Sequence, residues 1–91
     1  MVFEFVLCVR ACEDCQALPV LRVHVPSEIL DFFARRPVGW TFDDWVREKL
    51  AKRGITLPEG EERWWLEHPI FTLRRGLDGA SLSSLPLVVL P

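Results

Sequence analysis

Three cysteines stand close together at the spacing C-x3-C-x2-C, as Cys8, Cys12 and Cys15. Thiolates at such spacing can hold a soft metal or form a disulfide, so these residues open the chemical reading. A structural zinc site takes four ligands, and His24 is the fourth candidate. Alternatively, Cys12 and Cys15 alone make a C-x-x-C pair that can cycle between dithiol and disulfide. An odd cysteine count, with no basic and apolar leader ahead of it, reads most simply as reduced thiols in the cytoplasm. Plain thiols, with no metal and no cofactor, are therefore the expectation. Zinc at Cys8, Cys12 and Cys15 and a Cys12–Cys15 redox pair are the alternatives.

Other catalytic chemistry finds little support. There is no Ser/His/Asp arrangement, no glycine-rich phosphate loop and no paired-carboxylate motif. His24 and His68 are isolated in sequence, and the chain is expected not to be an enzyme. The cysteine spacing formally matches the cluster motif of radical enzymes that cleave S-adenosylmethionine. Those enzymes build a large barrel around the cluster, which 91 residues cannot supply. Eleven basic against thirteen acidic side chains leave a net charge of −2, which offers no overall field for nucleic acid or an acidic membrane. No apolar run is long enough for a membrane-spanning helix. Arg outnumbers Lys nine to two, and Asn and Tyr are absent. Such a bias accompanies GC-rich prokaryotic genomes, those of thermophiles included.

The elements that must position these residues are legible from periodicity. Val2 to Arg10 alternates, with Phe3, Phe5, Leu7 and Val9 on one face and Glu4, Val6, Cys8 and Arg10 on the other. Val20 to Val25 alternates again, and the polar stretch between them predicts an antiparallel hairpin. A turn centred near Asp14 sets Glu4 opposite His24 and Cys8 opposite Val20. His24 is then about 13 Å along the strand from Cys8, too far to share a metal, and a Glu4–His24 pair is expected instead. Ser27 is placed to cap a short helical stretch over 29–36. Thr41 is an N-cap for a second helix, with Asp43 and Asp44 in its first turn and Phe42, Trp45, Val46 and Leu50 as its buried stripe. Gly54 closes that helix, and 57–61 is a turn. Residues 63–74 read as one strand interrupted near Pro69, and 76–79 as a turn. Leu87 to Leu90 is a short apolar run, expected as a central strand.

In order, these elements resemble the β-grasp. Thr41 to Leu50, followed by Gly54-Ile55 and Pro58, is similar to the ubiquitin helix and its exit. Pro69-Ile70-Phe71, the Leu77 to Leu82 turn and Leu87 to Leu90 resemble ubiquitin's second half. The resemblance implies an α+β fold, a single ubiquitin-like β-grasp domain over 1–91, whose mixed sheet is crossed by one main helix. Its first and last strands would pair in parallel at the sheet centre. Residues 29–40 would be a helical insertion between the second strand and that helix. The chain stops at Pro91 without the flexible di-glycine tail of conjugated modifiers, so conjugation and sulfur carriage are alternatives that need a longer or processed C-terminus. The resemblance further implies non-covalent docking onto a protein partner through the outer sheet face, centred on Ile70 with Val6, His24 and Val88 or Val89 beside it.

A second candidate surface lies in the insertion, where Phe32, Phe33 and Trp40 form an aromatic anchor if they are exposed and satellite core if they are covered. Trp64 and Trp65, adjacent on a strand, must point to opposite faces. Residues 21–54 also resemble a ribbon-helix-helix DNA-binding module, with Arg22 and His24 on the ribbon. That resemblance covers a smaller part of the chain and comes with little positive charge, so it stands as the alternative.

Overall fold

In the computed structural model, which describes residues 1–60 and 62–91, the two alternating segments form strands β1 (Val2–Val9) and β2 (Leu18–Pro26). They pair antiparallel with Glu4 opposite His24, as the alternation requires. A register irregularity between Leu7 and Cys8 then sets Cys8 opposite Pro19 instead of Val20. A proline has no N–H to give the ladder, and β-strand partners commonly slip at such a point.

Helix α1 (Ser27–Ala34) follows directly. Pro26, not Ser27, occupies its N-cap position, and no side chain caps it. Helix α2 (Phe42–Ala51) begins at a full capping box. The Asp44 N–H donates to Thr41 Oγ1 at 3.2 Å, and the Thr41 N–H donates to Asp44 Oδ2 at 3.0 Å. That backbone donor, together with the Thr41 hydroxyl, holds the Asp44 carboxyl below its ordinary range. At the other end the Gly54 N–H reaches the Ala51 carbonyl and the Ile55 N–H reaches the Leu50 carbonyl, both at 3.0 Å. This closure needs a left-handed residue, and Gly54 supplies it at φ +78°. Thr41→Ala should cost about 1 kcal/mol in urea unfolding, with Thr41→Ser near neutral; equal stability of all three would mean the cap contributes nothing.

The second half departs from the expected strands. Of residues 63–74 only Trp64–Glu67 is extended (β3); Pro69–Arg74 is a helix (α3) and Gly79–Ser84 another (α4). Pro69 does not interrupt a strand but occupies the first turn of α3, where its missing N–H costs nothing. Asp78 caps α4 by accepting from the Ser81 N–H at 2.7 Å. Strand β4 (Leu87–Val89) completes a mixed sheet of order β3-β1-β2-β4. The domain is thus α+β, with a four-stranded mixed sheet and several helices.

Strand β4 is an edge strand, not a central one, and its parallel partner is β2, not β1. The reason is that β1 already has two neighbours, since β3 takes its second edge over Val6–Val9. First and last strands therefore do not meet, which corrects the pairing implied by the β-grasp resemblance. Paired on both sides over residues 22–24, β2 has no free edge there for an intertwined ribbon with a second copy.

One sheet face carries the core. Leu7, Leu21, Val23 and Val25 meet Trp45, Val46 and Leu50 of α2, with Leu57 and Leu90 closing the sides. Phe5, Val9, Val88 and Trp64 pack around this cluster, while Phe3, at the strand's outer end, is exposed. Among the described residues no helix is long and apolar enough to cross a membrane. Glu61, in the expected 57–61 turn, lies outside the described residues.

Candidate functional site

The opposite sheet face gathers most of the chemistry-bearing side chains. Glu4, Val6 and Cys8 of β1, Arg22 and His24 of β2, and Trp65 and Glu67 of β3 share it by alternation and register. His24 Nε2 lies 2.9 Å from Glu4 Oε1, the cross-strand pair that the hairpin register predicts. Arg22 stands 3.7 Å from the same carboxylate and donates from Nε to the Leu85 carbonyl at 3.2 Å.

Helix α3 lies against part of this face and seals a polar cluster there. Glu67 accepts from Trp65 Nε1 at 2.8 Å, from the Thr72 hydroxyl at 2.6 Å and from Arg75 Nη2 at 2.5 Å. Burial pushes the Glu67 carboxyl up, but the donors from Arg75, Thr72 and Trp65 outweigh it and leave it below its usual range. Cys8 is fully buried beside this cluster, 3.6 Å from Arg75 Nη2. Burial, helped by the Glu67 carboxylate and only partly offset by Arg75, pushes its thiol up to about 11. Cys8 is thus a protonated, enclosed thiol and a poor nucleophile.

Cys12 and Cys15 are joined by a disulfide in the turn between β1 and β2. Plain thiols are therefore the wrong reading for these two and hold only for Cys8. The three do not converge on one centre, and among the described residues no group of three His, Cys, Asp or Glu is placed to hold a metal ion. His68 caps α3, its Nδ1 accepting from the Ile70 N–H at 3.1 Å.

An open groove of about 620 Å³ runs from the disulfide turn to α3. Ala17, Leu18, Pro19, Trp65 and Leu77 give it an apolar lining, to which Thr72 and Arg75 add polar groups. The Arg10 guanidinium sits 5.6 Å from the Trp65 ring centroid, outside the strand pair.

Comparison with protein-family models, curated proteins and solved structures finds no match. The site must be read from its own geometry.

The expected docking patch does not assemble as one surface. Ile70 lies in the first turn of α3, not on a strand, though it is exposed. Val6 is fully buried under α3's side of the sheet, and His24 is engaged with Glu4. Val88 pairs with Val23 and packs on the core side; its neighbour Val89 is the exposed one. The physical cause is the helical turn at 69–74, which takes Ile70 off the sheet.

The aromatic residues of the 29–40 segment do come together. Phe32 meets Phe33 edge-on at 4.9 Å between centroids, and Trp40 lies 6.2 Å from Phe32 and 5.3 Å from Phe33. Phe33 continues to Phe42 at 5.9 Å, and Phe42 stacks on the buried Trp45 at 6.0 Å. A chain of rings therefore leads from the core to the surface, where Phe32 is 44% and Trp40 40% exposed. Beside them Val38 projects wholly into solvent. Sequence reasoning missed Glu67, Thr72 and Arg75. The available signal was a lone acid in the apolar run Trp64-Trp65-Leu66-Glu67, on the face opposite Leu66.

Proposed function

We propose that this domain acts in the cytoplasm by non-covalent docking onto a protein partner, without catalysis of its own. The observation that carries the reading is the ring of exposed aromatics at Phe32 and Trp40, anchored through Phe33 and Phe42 to buried Trp45. Rigid aromatic rings held by the core lose little freedom on binding and are the residue types that dominate interface energetics. Acid–base and nucleophilic catalysis are disfavoured by the state of the candidate groups, since Cys8 is enclosed and both histidines serve local pairs. The ubiquitin-like reading enters as an analogy of use, a small α+β domain presenting a surface, and does not require β-grasp strand pairing. Nucleic acid is the less favoured partner because the charge balance offers no basic field.

The test is a capture experiment from the source lysate with the tagged full chain and with a Phe32→Ala/Trp40→Ala variant. A stoichiometric protein that dissociates on denaturation should be retained by the first and lost by the second, with the variant's melting temperature unchanged. A species surviving detergent and reductant would point to covalent attachment, and recovery of DNA alone would favour the ribbon-helix-helix alternative; either outcome overturns the docking reading.

A further inference from the structure

We propose that the Cys12–Cys15 pair is a thiol–disulfide exchange site whose partner is a thiol carried on an extended, peptide-like chain lying in the adjacent groove. Two independent observations meet there. The disulfide joins residues three apart in the surface turn between β1 and β2, and neither cysteine is buried. The groove begins at the next residue, because Gln16, Ala17, Leu18 and Pro19 line it together with Trp65 and Leu77. It is open and largely apolar, a shape that accommodates an extended chain better than a compact charged ligand.

The disulfide is also not what holds this region. A ring this small removes little freedom from the unfolded chain. The strands on either side are registered by their own ladder up to Val9 and Leu18. The turn is further clamped where Arg63 donates to the Ala11 carbonyl at 2.7 Å and the Arg10 N–H donates to the Arg63 carbonyl at 2.9 Å. The pair can therefore open without loss of the hairpin. Cys8, the remaining thiol, is enclosed on the sheet face and takes no part, so the couple is confined to two sulfurs. Cytoplasmic disulfides are for the most part transient, catalytic or redox-sensing, which agrees with the location proposed above.

The exchange balances as two substitutions at sulfur. An incoming thiolate attacks one sulfur of the pair, the Cys12–Cys15 bond breaks, a mixed disulfide forms and the other cysteine leaves as a thiolate. A second thiolate attacks the mixed disulfide, releasing the first cysteine and forming the partner's disulfide. Two thiols are oxidised to one disulfide, and the pair gains two electrons and two protons. The reverse sequence reduces a partner disulfide to two thiols and restores the Cys12–Cys15 bond.

The inference stands apart from the docking reading and is tested separately. The native full chain is equilibrated across ratios of reduced to oxidised glutathione, quenched with an alkylating agent and weighed intact. Two alkyl groups should appear together as the buffer becomes more reducing, with the near-ultraviolet signal of the tryptophans unchanged. Cys12→Ser and Cys15→Ser should each capture a single glutathionyl group. A parallel arm with a cysteine-containing apolar peptide should react several-fold faster than glutathione, and Leu18→Glu should abolish that advantage. A pair that stays oxidised until denaturant is added, a native spectrum that collapses as the pair opens, or alkylation of Cys8 in the native chain would overturn the exchange. A peptide that gains no rate over glutathione would overturn the role of the groove.

Discussion

Leu50→Ala should lower the stability of this domain by roughly 2–5 kcal/mol, the range for truncating an enclosed leucine without collapse of its surroundings. A domain of this length has only about 5–14 kcal/mol in hand, so the variant should lose a large share of it. Leu50 is wholly buried where α2 meets the sheet, in one cluster with Val46, Leu57 and Leu90. Its carbonyl also receives the Ile55 N–H that turns the chain out of α2, so the surrounding backbone is not free to fill the gap. Urea unfolding should show a lower midpoint at an unchanged slope. Leu50→Met, which keeps volume, should cost less than about 1.5 kcal/mol. A loss below about 1 kcal/mol for Leu50→Ala would contradict this packing.

The second large effect is expected at Glu67. Removing its carboxylate with Glu67→Ala strands three donors, Trp65 Nε1, the Thr72 hydroxyl and the Arg75 guanidinium. The Glu67 side chain is 8% exposed, but Arg75 is 48% exposed and can recover water. The expected cost is therefore about 2–4 kcal/mol, below the full penalty of a deeply buried broken ion pair. Glu67→Gln should fall between the two proteins, because its carbonyl oxygen can serve only part of the donor set.

The same carboxylate gives a pH signature. Its folded value lies below the ordinary 4.5, so the unfolded chain binds the proton first as the solution is acidified. The stabilisation it provides is complete above that ordinary value and is lost as pH falls through the lower, folded value. Unfolding midpoints of the native protein should therefore drop further on acidification than those of Glu67→Gln. Parallel acid profiles for the two would show that Glu67 makes no such contribution.

What could be read from the sequence divides along physical lines. The hairpin and its Glu4–His24 pair followed from two-residue alternation, and α2 from a capping threonine, two first-turn acids and a closing glycine. All of these signals are local. Pro69 was ambiguous for the same reason that it is informative: a proline ends a strand and also begins a helix. What resolves it is His68, whose ring accepts the Ile70 N–H, and histidine is not among the strong capping residues. Helix α4 spans six residues, less than two turns, too short for a repeating apolar stripe. The apolar run at Leu87–Leu90 announced burial, yet only Val88 and Leu90 face the core while Leu87 and Val89 remain exposed. Its pairing with β2 depends on which sheet edge is vacant, a long-range property that no local pattern encodes. The Glu67 cluster was invisible for a related reason, since it is assembled by α3 folding back across the sheet.

The placement of β4 has a consequence for the order in which the molecule is made. Arg22 and Leu85, at the foot of the β2–β4 contact, are 63 residues apart in sequence, and the Leu90 N–H binds the His24 carbonyl at 2.9 Å. Leu90 itself is a wall of the core, 1% exposed. During translation the hairpin and α2 emerge before β4, and the apolar chamber they outline stays open on one side until residue 90 has cleared the exit tunnel. Until then the chain has no wall on that side, and Val23 and Leu50, once emerged, are not yet enclosed by the native core.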